Sequence, residues 1–121
     1  MQMNKAMFAG RVARAPHFRD GGRTPVCHVT LIANEYVGRD DTGDVRERRV
    51  AIPFTAFDAR ARAIADHVYV GDQLIVEYRV VNNDRDVDGD TEYGFSFVIE
   101  QFDFGAPGEL KRQKLAEAAA S

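Results

Sequence analysis

The chain has 121 residues, 45% of them hydrophobic, enough to bury one core and therefore to make one domain. Its single cysteine, Cys27, excludes an internal disulfide and a cysteine-based zinc site, and His17, His28 and His67 stand without ligand spacing, so no metal or other cofactor is expected. Sixteen cationic against nineteen acidic side chains give −3, whereas nucleic-acid binders usually carry a basic footprint. The charge is unevenly spread: residues 1–62 hold 11 Lys and Arg against 7 Asp and Glu, and residues 63–121 hold 5 against 12. A basic face is therefore compatible with the acidic total. No apolar run approaches the roughly 20 residues that span a bilayer, and Met1 to Lys5 lacks the layout of a signal peptide. The expected location is the cytoplasm, without membrane attachment.

Alternation marks most of the chain as strand. In the first strand, about Asn4 to Arg14, Ala6, Phe8, Gly10 and Val12 share the core-like face, opposite Lys5, Met7, Ala9 and Arg11. Pro16 and the Asp20-Gly21-Gly22 turn interrupt the pattern. The second strand, about Pro25 to Val37, turns Cys27, Val29, Leu31 and Ala33 inward and His28, Thr30, Ile32, Asn34 and Tyr36 outward. An acidic loop, Gly38 to Asp44, leads to the third strand, where Val50, Ile52 and Phe54 face in and Arg49, Ala51, Pro53, Thr55 and Phe57 face out. Pro53 has no amide hydrogen to give a sheet, so an edge or a bulge is expected there.

Asp58 is the expected N-cap of a short Ala-rich helix, with Ala61, Ile64, Ala65 and Val68 on its apolar face, plugging one end of a barrel. After Gly71, Leu74, Val76, Tyr78 and Val80 give the inner face of a fourth strand. A polar hairpin from Asn82 to Asp90 leads to the fifth, with Tyr93, Phe95, Phe97 and Ile99 on one face. Phe102 and Phe104 break that parity, so a bulge or a turn into a new packing surface is expected at Glu100 to Gln101. From Ala106 to Ser121 the residues favour helix, but only Leu110 and Leu115 are large and apolar. This tail is expected as a marginal helix that needs a partner surface, or as a frayed end.

Strand order with one interposed helix predicts an all-β fold, a five-stranded barrel over residues 1–105 with a helical or frayed tail over 106–121. Such scaffolds commonly hold single-stranded nucleic acid. Asp84, Asp86 and Asp88-Gly89 match the start of a calcium loop, but the twelfth position is Phe95 and the flanks are strands, so a polar turn is the better reading. No Ser-His-Asp or Cys-His layout and no phosphate-binding Gly-rich loop is present in the sequence, and catalysis is not expected.

The chain resembles the bacterial and phage single-stranded DNA-binding protein family, which has an OB-fold. Asn4-Lys5 with Gly10-Arg11-Val12 and Pro16 looks like the family's opening strand and turn. Thr24 to Tyr36 is similar to its second strand, ending in an aromatic after an Asn-Glu pair. Thr55-Ala56-Phe57, the Ala-rich helix and Gly71-Asp72 match most closely, and Asp88-Gly89-Asp90 to Tyr93 resembles the last hairpin.

The resemblance implies sequence-independent binding of single-stranded DNA by a homotetramer, with a dimer as the other assembly, in replication, recombination, repair or mobile-element transfer. It places stacking aromatics at Tyr36 and Phe57 and cationic partners at Lys5, Arg11, Arg46, Arg48, Arg49 and Arg79. It places the protein at the bacterial nucleoid, or in the host cytoplasm for a phage or plasmid relative. Other roles stay open for these residues. Phe57 also fits packing on the helix it precedes, the Arg46 to Arg49 run fits a solvated edge guard, and Arg79 fits an ion pair with Glu77 or Glu92. The sequence departs from the family in having no Trp, in Ala51 and Pro53 of the third strand, and in lacking an acidic tail with an apolar tip, so recruitment of partners through such a tip is not expected. The alternative is an OB-fold protein-interaction module of a replisome or restart complex with weak DNA affinity.

Overall fold

A computed structural model describes residues 1–120. In chain order the elements are β1 (Ala6–Val12), β2 (His17–Arg19), β3 (Val26–Arg39), β4 (Val45–Phe57), α1 (Asp58–His67), β5 (Gln73–Asn82), β6 (Arg85–Val87), β7 (Asp90–Glu92), β8 (Phe95–Phe104) and α2 (Glu109–Ala120). The five long strands pair as β1-β5-β8-β4-β3, and a further β1–β3 pairing closes them into a barrel. Closure at β4–β8 is parallel and short, through Phe54 opposite Phe97 and Thr55 opposite Val98. The all-β five-stranded barrel read from the sequence is the architecture of the chain.

Strand periodicity places the core where alternation put it. Cys27, Val29, Leu31, Phe54, Leu74 and Val76 are at most 2% exposed. Phe54 is the hub, its ring 5.8 Å from Phe8, 4.9 Å from Tyr78 and 6.4 Å from Phe97. Gly10 allows β1 to approach β3, because an added Cβ would stand 2.8 Å from the carbonyl oxygen of Ile32. The expected bulge is present: Glu77 faces Gln101 and Tyr78 faces Ile99, leaving Glu100 as the extra residue. It turns Phe102 back onto the core. Pro53 lies where β4 is paired with β3 but not yet with β8, as an edge position requires.

Helix α1 packs on β2, β3 and β4, and Ala61, Ile64 and the following Val68 enter the core. Ala65, expected on the same face, is exposed. Asp58 is not the cap. Phe57 holds that position without a side-chain bond, while Asp58 adopts a left-handed backbone, φ 58°, that Asp tolerates better than most residues. Its amide is satisfied by the Pro25 carbonyl at 3.0 Å.

Tyr93 and Phe95 do not join the core. They are 80% and 64% exposed because the barrel ends at Phe97. The preceding hairpin β6–β7 turns through Asp88 and Gly89, with φ of 52° and 84°, the backbone of a primed turn that matches strand twist. The 106–121 tail forms α2, whose side chains are not buried; its last residue, Ser121, lies outside the described residues.

Burial has a consequence for Cys27. Its side chain is inaccessible, and desolvation pushes the thiol pKa up, away from the reactive thiolate. A thiol reagent at neutral pH is expected to label the unfolded chain quickly and the folded protein only at the rate of global opening. Rapid stoichiometric labelling of the folded protein would contradict this packing.

Candidate nucleic-acid interface

The outward residues of β3 and β4 meet in register. Val26 faces Phe57, His28 faces Thr55, Thr30 faces Pro53, Ile32 faces Ala51, Asn34 faces Arg49 and Tyr36 faces Glu47. Phe57 and Tyr36 therefore lie on one face but at opposite ends of it. From position 26 to position 36 the strand rises ~33 Å. Tyr36 is 65% exposed and Phe57 38%. The aromatics expected to stack are two separated points along a track.

Beyond Val50 the β3–β4 ribbon runs out of the barrel as an exposed arm. Period-2 geometry divides its arginines: Arg49 shares Tyr36's face, whereas Arg46 and Arg48 have the parity of Phe54 and fall on the other. Arg48 lies 3.6 Å from Glu35. Arg39 donates to the Gly43 carbonyl at 2.7 Å, and the tip is acidic. There the Thr42 hydroxyl first, then the amides of Asp44, Thr42 and Gly43, hold the Asp40 carboxyl below the usual range. With Glu35, Asp40, Asp41, Asp44 and Glu47 among its arginines, the arm is not a simple basic patch.

The other cations are partly engaged. Lys5 pairs with Glu77. Arg79 pairs with Glu100 at 3.2 Å, not with Glu77 or Glu92. Arg11 donates to the carbonyls of Gly71 and Ala106, both at 3.1 Å, and so ties the tail connection to the barrel. Its guanidinium has a structural task that the sequence did not show.

On the barrel itself Phe57 and Arg79 come together. They line a groove of about 450 Å³ with His28, Thr55, Asn83 and Val98, among others. Asn83 is shared with a smaller recess of about 150 Å³ lined by Arg85, Tyr93 and Phe95, and His28 with another of about 200 Å³ lined by Arg14, His17 and Thr30. No carboxylate lines the central groove or the His17 recess; Glu92 lines the Tyr93 recess. A larger cavity, about 620 Å³, lies at the 19–24 loop, but it lacks aromatics and contains Asp20. The strand-held groove is the better site for a polyanion with stacking bases, since its lining combines an aromatic ring and a cation with no carboxylate, although Arg79 is paired with Glu100 beyond the lining.

His17, Arg14, Tyr93 and Phe95 were not among the residues expected at the site. Alternation did place His28 outward, but the three-residue β2 that sets His17 beside it has no readable periodicity. Tyr93 and Phe95 share the parity of Phe97, and only the end of the barrel distinguishes them.

The fold recurs in solved structures. A deletion mutant of the single-stranded DNA-binding protein from Thermus aquaticus superposes with a TM-score of 0.72 at 19% identity, over 85% of this chain; the match spans half of that chain's length. The Plasmodium falciparum SSB in complex with ssDNA gives 0.70 at 19% identity, covering 87% of this chain and 96% of the other. A small single-stranded DNA-binding protein from Streptomyces coelicolor gives 0.66 at 18%, again over 87% and 96%. No curated protein sequence matches the chain. The model of the single-strand binding protein family matches residues 3–105, the whole barrel, and the chain belongs to that family.

Proposed function

We propose that this protein binds single-stranded DNA without sequence preference and protects it in replication, recombination, repair or mobile-element transfer, as a binding protein and not an enzyme. The carboxylate-free groove that joins Phe57 to Arg79 on the outer barrel face carries this reading. Phe57 and Tyr36 stack bases at two ends of the track, and Arg49 and Arg79 pair phosphates along it. Lys5, Arg46 and Arg48 add charge from the flanks, whereas Arg11 contributes chiefly by holding the barrel end. The working unit is a homotetramer of the 1–105 domain in the cytoplasm. The exposed Met7 beside Ala9 and Ile75 on the outer β1–β5 face supports self-association, which sedimentation velocity tests.

Anisotropy titration of a labelled oligo-dT of several tens of nucleotides, at low and moderate salt and beside its duplex, tests the function. Tight binding to the single strand, weakening steeply with salt and little seen with duplex, is expected. Absence of binding at low salt would overturn it and favour a protein-interaction role. Phe57→Ala and Tyr36→Ala should each weaken binding by one stack, ~1–3 kcal/mol or about 5- to 150-fold, without altering the oligomer. An undiminished affinity in both variants would remove them from the interface.

A further inference from the structure

The recess at the side of the groove is built by two histidines. His17 of β2 lies opposite His28 of β3, and their rings stack with centroids 6.5 Å apart and planes at 15°. Arg14 lines the same recess, and Arg19 follows His17 on the same face of β2. Nδ1 of His28 lies 3.3 Å from the Thr55 hydroxyl, which donates to a bare Nδ1 or accepts from an Nδ1–H, according to the ring's tautomer and charge. Nε2 of His28 and both ring nitrogens of His17 have no hydrogen-bond partner among the described residues.

The charges around this pair are one-sided. On β4, Thr55 lies opposite His28, with Pro53 and Phe57 the next residues on that face, and on β8 Ser96 and Val98 line the groove that His28 shares; none of them is charged. Arg14 and Arg19 stand on the β2 side, whereas Arg79 on the β5 side is balanced by Glu100. The nearby carboxylates are already engaged, Asp20 by Arg62 at 2.7 Å and Glu100 by Arg79 at 3.2 Å. Like charges on two stacked rings beside Arg14 repel, and no carboxylate lines the recess to offset them. A phosphodiester laid there supplies the missing counter-charge. Favouring of protonated rings by the phosphate and favouring of the phosphate by protonated rings are one coupling free energy seen from two sides.

We propose that His17, His28 and Arg14 form a phosphodiester site whose occupation is linked to proton uptake, so that this protein holds single-stranded DNA more tightly as pH falls. The inference rests on the single-strand reading above and adds to it a proton-linked grip on the backbone.

The test is oligo-dT binding by the full chain at about pH 6 and about pH 8 over a range of salt. The wild type should bind about fivefold or more tightly at the lower pH, with a salt slope steeper by ~0.7 for each further phosphate that the protonated rings neutralise. The double variant His17→Gln/His28→Gln should bind with nearly equal affinity at both. His67→Gln should keep the full response, because His67 lies by Lys111 and Lys114 in a separate groove. A flat profile for a DNA-binding wild type, or a pH response that survives in the double variant, overturns the site alone. No binding by the wild type at either pH overturns the single-strand reading and the site with it.

Discussion

Phe54→Ala is expected to lower the unfolding free energy by about 3–5 kcal/mol, a large share of the roughly 5–15 kcal/mol that holds a domain of this kind together. Phe54 is fully buried and its ring touches those of Phe8, Tyr78 and Phe97, so it packs β4 against β1, β5 and β8 at once. It also sits at the short parallel contact that closes the barrel. Antiparallel neighbours hold β3 and β4 along their length, but only two residue pairs join β4 to β8. Neighbouring side chains cannot collapse into the vacancy without moving strands. Urea unfolding followed by circular dichroism should show a lower midpoint with an unchanged slope, because the surface exposed on unfolding is nearly the same. A loss below about 1 kcal/mol would show that the ring is not the centre of the core.

Asp72→Ala should be the next most damaging change, and it should act at a distance along the chain. Asp72 is 1% exposed. Its Oδ2 accepts the Tyr69 amide at 3.0 Å and lies 3.4 Å from the Lys111 ammonium, while Oδ1 accepts the Gly108 amide at 2.8 Å. One carboxylate thus fastens both the turn after α1 and the start of α2. Removing it strands two amide donors, for which the cost is about 1–3 kcal/mol each while they remain buried. The tail can release its share by leaving the barrel and meeting water, so a net loss of about 2–4 kcal/mol is expected together with undocking of α2. That helix has 12 residues and no buried side chain, and helices of this length are marginal alone. The helical ellipticity should therefore fall before the barrel melts. Gly108→Ala tests the same latch sterically, since its Cβ would stand 2.5 Å from the carbonyl carbon of Gly71. A tail that stays helical and docked in both variants would show that the latch does not hold it.

What the sequence alone determined were the faces of the strands. Period-2 alternation is a property of each strand by itself, so Cys27, Val29 and Leu31, or Leu74 and Val76, could be assigned inward without knowing any partner. The parity break at Phe102 likewise located the Glu100 bulge, because a bulge is one residue added locally. Family membership was legible for the same reason: spacing along the chain carried it. Tertiary structure decided which outward residues are free and which meet one another. Arg11 and Arg49 are both outward arginines in sequence, yet Arg11 is spent on carbonyls 60 and 95 residues away. Phe95 and Phe97 have the same parity, and the barrel's end leaves one exposed and packs the other on the core. The pairing of His17 with His28 arises from a three-residue strand too short to show a period. Alternation records which side of a strand a residue takes; partners, ion pairs and grooves depend on how distant strands are brought into register, and that is settled only when the barrel closes.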